Sequence, residues 1–163
     1  MKTAILTLAA AAVAAAALPA HAADDAQLER LATCRDSWFE WRADPARMAG
    51  LAGFIETNFS RGSDPGGYAP ASRMTVLGGQ RVAQVFPQSV GMGVGFSVVV
   101  DAPFVRVRQL VEKQLGKPLA CESGDGMRGC ELKLAEKKSL VLMAPEAASS
   151  TQTLLGCYYF YEK

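Results

Sequence analysis

The chain has 163 residues, half of them hydrophobic and 20% charged, with 17 basic against 16 acidic side chains. That length suits one domain with a proper core. The balanced charge argues against a nucleic-acid binder, which would carry a basic excess.

Residues 1–22 read as a signal peptide. Lys2 is a short positive start, residues 4–18 are a nearly unbroken apolar run, and Ala20-His21-Ala22 fits a small-x-small cleavage site. The run is short for a membrane span and no basic flank follows it. The expected mature chain is residues 23–163, one domain, periplasmic or secreted, with no membrane span. Loss of Lys2 leaves 16 basic residues facing 16 acidic ones. His21 is the only histidine, so the mature chain is expected to hold no Ser-His-Asp or Cys-His arrangement and no imidazole-ligated zinc.

Residues 24–43 are predicted as a helix capped by Asp24 or Asp25, with Leu28, Leu31, Cys34, Trp38 and Trp41 on one stripe. The two tryptophans at that spacing are read as core. Asp44-Pro45 restarts the chain as a cap followed by a first-turn proline, and a second helix carries Met48, Leu51, Ile55 and Phe59 and ends near Asn58 to Ser60. The two helices are expected to form a hairpin. Residues 60–72, rich in Gly, Pro, Ser and Asp, read as a long loop. Arg73 to Phe86 reads as one strand, interrupted at Gly78-Gly79 by a bulge or bend.

The clearest unit is Gly91 to Pro118. Met92, Val94, Phe96, Val98 and Val100 alternate with Gly91, Gly93, Gly95, Ser97 and Val99, which predicts a strand. Asp101 is placed as the cap of a helix carrying Phe104, Val107, Val111 and Leu115, and Gly116 stops it. Short strands follow near 119–123, 128–135, 139–144 and 153–161, with Cys130, Leu132 and Leu134 expected inward. The fold class is therefore α+β: two N-terminal helices and a central helix on one face of a mostly antiparallel sheet of five or six strands.

Four cysteines in an exported chain suggest two disulfides. Asp125-Gly126 is a favoured two-residue hairpin turn. Counting outward from it sets Cys121 opposite Cys130 in a non-hydrogen-bonded pair, which leaves Cys34 to join Cys157. No C-x2-C element occurs, so neither a structural zinc nor a dithiol redox site is expected.

No cofactor is expected. Gly91-Met92-Gly93-Val94-Gly95 is not a nucleotide loop, because its glycines precede the apolar part of the strand; they strip one face for close approach. Asp64, Asp101, Glu122 and Asp125 are candidate carboxylates, each with an ordinary turn, cap or hairpin role. Tyr158 and Phe160 share a parity opposite to that of Cys157, so they fall on the face away from the helices, either exposed or covered in turn. That face should be partly apolar and low in bulk near Gly91, Gly93 and Gly95. Tyr158, Phe160, Gly93 and Gly95 are the candidate protein interface. The resulting expectation is an exported, non-catalytic binding protein of the inhibitor, immunity or envelope-accessory type, with an exported or envelope protein or a second copy as partner. The alternative is a small envelope hydrolase working through two carboxylates.

Overall fold

The structure is a computed structural model that describes residues 20–36, 44–87, 93–147 and 149–160. The signal-peptide segment before Ala20, and Trp38 and Trp41, lie outside these residues. The class is α+β, with three helices and a large antiparallel sheet among the described residues. The sheet has nine strands, not five or six. The additional strands come from two segments whose local signals point elsewhere.

Helix α1 runs Ala20–Ala32, shorter than the predicted 24–43. It ends near Cys34, which has a left-handed backbone at φ 61. Asp25 lies inside the helix rather than at its cap. Its carboxylate accepts from the Thr75 N–H at 2.9 Å and the Thr75 hydroxyl at 2.7 Å. Helix α2, Pro45–Asn58, begins as expected: the Asp44 side chain accepts from the Ala46 and Arg47 N–H groups, with proline in the first turn.

The predicted 60–72 loop is a hairpin. β1 (Phe59–Arg61) pairs with β2 (Tyr68–Pro70), and β2 joins the sheet through Tyr68 opposite Val85. The predicted 73–86 strand is also a hairpin, β3 (Thr75–Val76) and β4 (Gln80–Phe86). Gly78-Gly79 is its turn rather than a bulge, and Leu77, Gly78 and Gly79 all have positive φ, at 51°, 72° and 106°. The Leu77 N–H is held by Glu29 Oε2 at 2.7 Å, so α1 fixes this strained turn.

β5 (Gly93–Val100) and α3 (Phe104–Leu115) form the predicted strand–helix unit. Val94, Phe96, Val98 and Val100 are buried on one face of β5, and Phe104, Val107 and Val111 on one stripe of α3. Gly116 ends the helix at φ 68. Asp101 does not cap it: it pairs with Arg81 at 3.6 Å and accepts from Gln152 Nε2 at 2.7 Å, while Pro103 occupies the cap position.

β6 (Ala120–Gly124), β7 (Met127–Ala135), β8 (Lys138–Pro145) and β9 (Thr153–Phe160) complete the sheet. Its order is β1-β2-β4-β5-β9-β8-β7-β6, with β3 on β4. In β7 Cys130 is buried, but Leu134 is exposed: it falls at the register shift between Lys133 and Ala135, where the strand alternation breaks. The helices do not stack as a hairpin. α1 meets β3, β5 and β9, α2 meets β1, and α3 meets β8. Leu28 and Leu31 of α1 join Phe96, Leu140, Leu142, Leu155 and Cys157 in one core.

Candidate functional site

Both expected disulfides are present. Cys34 joins Cys157, tying the end of α1 to β9, and Cys121 joins Cys130 across β6 and β7. The second follows from the turn: Asp125 at φ 54 and Gly126 at φ 74 are the two positive-φ residues of a type I′ hairpin. The ladder then sets Cys121 opposite Cys130 with Cα atoms 4.0 Å apart, the close spacing of a non-hydrogen-bonded pair. Such bonds persist in oxidising compartments.

Strand alternation divides the sheet into two faces. The face carrying Phe96, Leu155 and Cys157 meets the core. The registers place Ser97 and Val99 of β5, Leu154, Gly156 and Tyr158 of β9, Val141 and Met143 of β8, and Gly129 and Glu131 of β7 on the other. This second face is partly apolar, with little side-chain bulk at Gly95, Gly129 and Gly156. Val99, Val141 and Leu154 are half-buried, and Met127 and Met143 are each 38% exposed.

The four proposed interface residues lie here in unequal states. Tyr158 is only 5% exposed, so it forms the floor of the face rather than a projecting anchor. Its ring lies over the two glycines. A Cβ on Gly95 would meet Tyr158 Cδ1 at 2.9 Å and would overlap the Cys157 carbonyl oxygen, and a Cβ on Gly156 would meet Tyr158 Cε2 at 2.6 Å. Gly93 pairs with Phe160 in the ladder; the Phe160 side chain lies outside the described residues. Burial pushes the Tyr158 hydroxyl above its ordinary range, and the neighbouring Ser97 hydroxyl pulls the other way. Neither hydroxyl has a hydrogen-bond partner of normal geometry. Parity puts Tyr158 and Met143 on this face, but it does not single out Met127 and Met143 as its exposed members. Met143 was legible from its parity with Val141.

The candidate carboxylates divide. Glu122 and Asp125 reach one open hollow of about 480 Å³ on the second face, beside Met127, Gly129 and Met143. Asp101 follows β5, which β9 separates from the hollow's nearest strand β8, and it is held by Arg81 and Gln152. Asp64 sits in the β1–β2 loop, where its carbonyl accepts from the Gly67 N–H. Glu122 and Asp125 are exposed, whereas a carboxylic acid that protonates a leaving group has to be sheltered by apolar surroundings. The hollow is therefore better suited to contact than to acid catalysis. No family model, curated protein or solved structure matches this chain.

Proposed function

We infer that this is an exported, non-catalytic binding protein that contacts another exported or envelope protein through the second face of its sheet. The carrying observation is that face. Its β7–β8 end exposes Met127 and Met143, while at its centre Tyr158 is buried against Gly95 and Gly156. Apolar patches of this kind mark protein contacts, and methionines suit them because they adapt to a partner's shape. The export reading adds the apolar leader and two disulfides, which suit a small body outside a reducing compartment.

The test is affinity capture from envelope extract with mature wild-type protein and a Met143→Glu variant. Met143 is partly exposed, so the variant should keep its melting temperature within a few degrees. A captured protein that the variant loses supports the reading. Equal capture by both forms, or no specific capture by either, overturns it.

A further inference from the structure

β6 is the terminal strand of the sheet. Its hairpin closes at Gly124 and Met127, and Cys121 and Ser123 face Cys130 and Arg128 in non-hydrogen-bonded pairs. Their own N–H and C=O groups therefore point away from β7 to the free edge, and among the described residues no hydrogen bond reaches them. Edge strands in monomers are commonly blocked by lysine, proline or a bulge. Ala120-Cys121-Glu122-Ser123-Gly124 has none of these.

A hollow lies on each side of this edge. One is the open-face hollow of about 480 Å³, floored by Ala120, Glu122 and Gly129. The other, about 390 Å³, lies between α3 and β6, lined by Val105, Gln109, Cys121 and Ser123. Val105 beside it is 56% exposed. An added strand would send alternate side chains into these two hollows.

We propose that β6 accepts an extended segment of the partner as one further strand, with a basic side chain beside Glu122 and an apolar one against Val105. The charge argument is direct. Glu122 forms no ion pair among the described residues, whereas the two cations that line the helix-side hollow are both engaged: Arg108 pairs with Glu112, and Arg128 donates to the Glu146 carbonyl and lies over the Phe104 ring. A second copy of this chain fits less well. The two-fold register that uses both Cys121 and Ser123 of each copy sets Glu122 directly opposite Glu122, and like charges so placed destabilise a pair. The inference rests on the binding-protein reading and specifies how the partner is held.

The test uses the isotope-labelled whole chain with both disulfides formed, and two short capped peptides, one alternating valine and lysine, the other valine and glutamate. The lysine peptide should bind at least roughly tenfold more tightly and should slow hydrogen exchange at the Cys121 and Ser123 amides. Ser123→Pro, which removes one outward N–H, should abolish that binding. Glu122→Lys should reverse the peptide preference; should the proline variant fail to fold, this variant decides. Saturation that leaves both amides unprotected, or a preference that Glu122→Lys leaves unchanged, overturns strand addition. If that happens while Met143→Glu still abolishes envelope capture, the binding reading stands and only the edge inference falls; if Met143→Glu is also silent, both fall. Dimerisation through β6, seen by light scattering and lost in Ser123→Pro, would likewise overturn the proposal.

Discussion

The ring of Tyr158 occupies the space that a side chain on Gly156 would need. A Cβ there would lie 2.6 Å from Tyr158 Cε2 and 2.6 Å from the Ser97 Cβ. The close seating of Tyr158 thus depends on glycines, and the same geometry makes two of them hard to replace. Gly95→Ala would drive a methyl group into the Cys157 carbonyl oxygen and the Tyr158 ring. A strand carbonyl cannot rotate away as a side chain can, so the central ladder must move. We expect a loss of about 3 kcal/mol in urea unfolding, at the upper end of ordinary overpacking costs. Gly129→Ala on the same face is the control: its methyl would meet the Leu142 carbonyl oxygen at 3.4 Å, and the change should stay within about 1 kcal/mol. Equal effects at both sites would show that the Tyr158 packing does not constrain the face.

Tyr158 itself separates packing from polarity. Its hydroxyl is buried without a hydrogen-bond partner, so Tyr158→Phe should be neutral or slightly stabilising, whereas Tyr158→Ala should cost about 3–5 kcal/mol through loss of a large buried ring. Burial raises the folded-state pKa above the ordinary 10.0. The neutral phenol is the form the fold favours, so the associated stability is complete below pH 10.0 and is lost as pH rises through the higher folded value. Alkaline melting curves should therefore fall more steeply for wild type than for Tyr158→Phe. Identical curves would place the phenol in contact with solvent.

Much of this architecture is legible in local patterns, and the failures share one physical cause. Period two from Met92 to Val100 and the Phe104, Val107, Val111 stripe identify the central strand and helix because the core decides both directly. Asp125-Gly126 sets the Cys121–Cys130 register because a two-residue turn leaves no freedom in counting. Asp44-Pro45 likewise caps α2 through bonds two and three residues away. Asp101 resembles a cap equally well, but Arg81 and Gln152, distant in sequence, claim its carboxylate. β1 and β2 are three residues each, too short to show a period, and they exist as strands because β4 offers a ladder to pair with. The β3–β4 turn places a non-glycine residue, Leu77, at φ 51, made tolerable by Glu29 from α1. At the candidate site, parity put Tyr158 on the open face, but its depth depends on the glycines of the neighbouring strand.

The Asp25 and Glu29 carboxylates should therefore matter more than surface acids on a helix usually do. Glu29 accepts from the Leu77 N–H and from Gln114 Nε2, each at 2.7 Å, and also pairs with Arg35. Asp25 accepts twice from Thr75. Replacing either by alanine leaves a backbone N–H of the β3–β4 hairpin unsatisfied, which should cost about 1–3 kcal/mol each. The two share one hairpin, so the double variant should cost less than the sum. Losses below about 0.5 kcal/mol would mean that water replaces these bonds freely.

The two disulfides should differ in their contribution. Cys34–Cys157 closes a separation of 123 residues, Cys121–Cys130 one of 9. On the chain-entropy account, replacing the first pair by serine should cost about 4–5 kcal/mol and the second about 2–3 kcal/mol. Non-reducing peptide mapping should recover these two linked pairs and no others. A variant lacking the long bridge that unfolds at the same urea concentration as wild type would show that α1 is held by packing alone.

Glu112 links α3 to β6 and gives the edge strand a pH dependence. Its Oε1 accepts from the Leu119 N–H at 2.8 Å and from Arg108 Nε at 2.9 Å. The Leu119 hydrogen bond first, and Arg108 second, hold its carboxyl below the ordinary value of 4.5. A depressed folded-state pKa means that the contribution is present above pH 4.5 and fades as pH falls through the lower folded value. In an NMR titration the Leu119 amide should shift together with the Glu112 carboxyl, below pH 4.5, and the hydrogen-exchange protection of β6, corrected for the intrinsic rate at each pH, should fall over the same interval. Glu112→Gln should remove that shared transition while leaving β5 and β9 protected, because Leu119 is the residue immediately before β6 and neither central strand touches it in the ladder. If the exchange protection of β6 does not change with pH in wild type, the helix does not hold the edge in place, and the free groups of Cys121 and Ser123 are presented by the hairpin disulfide alone.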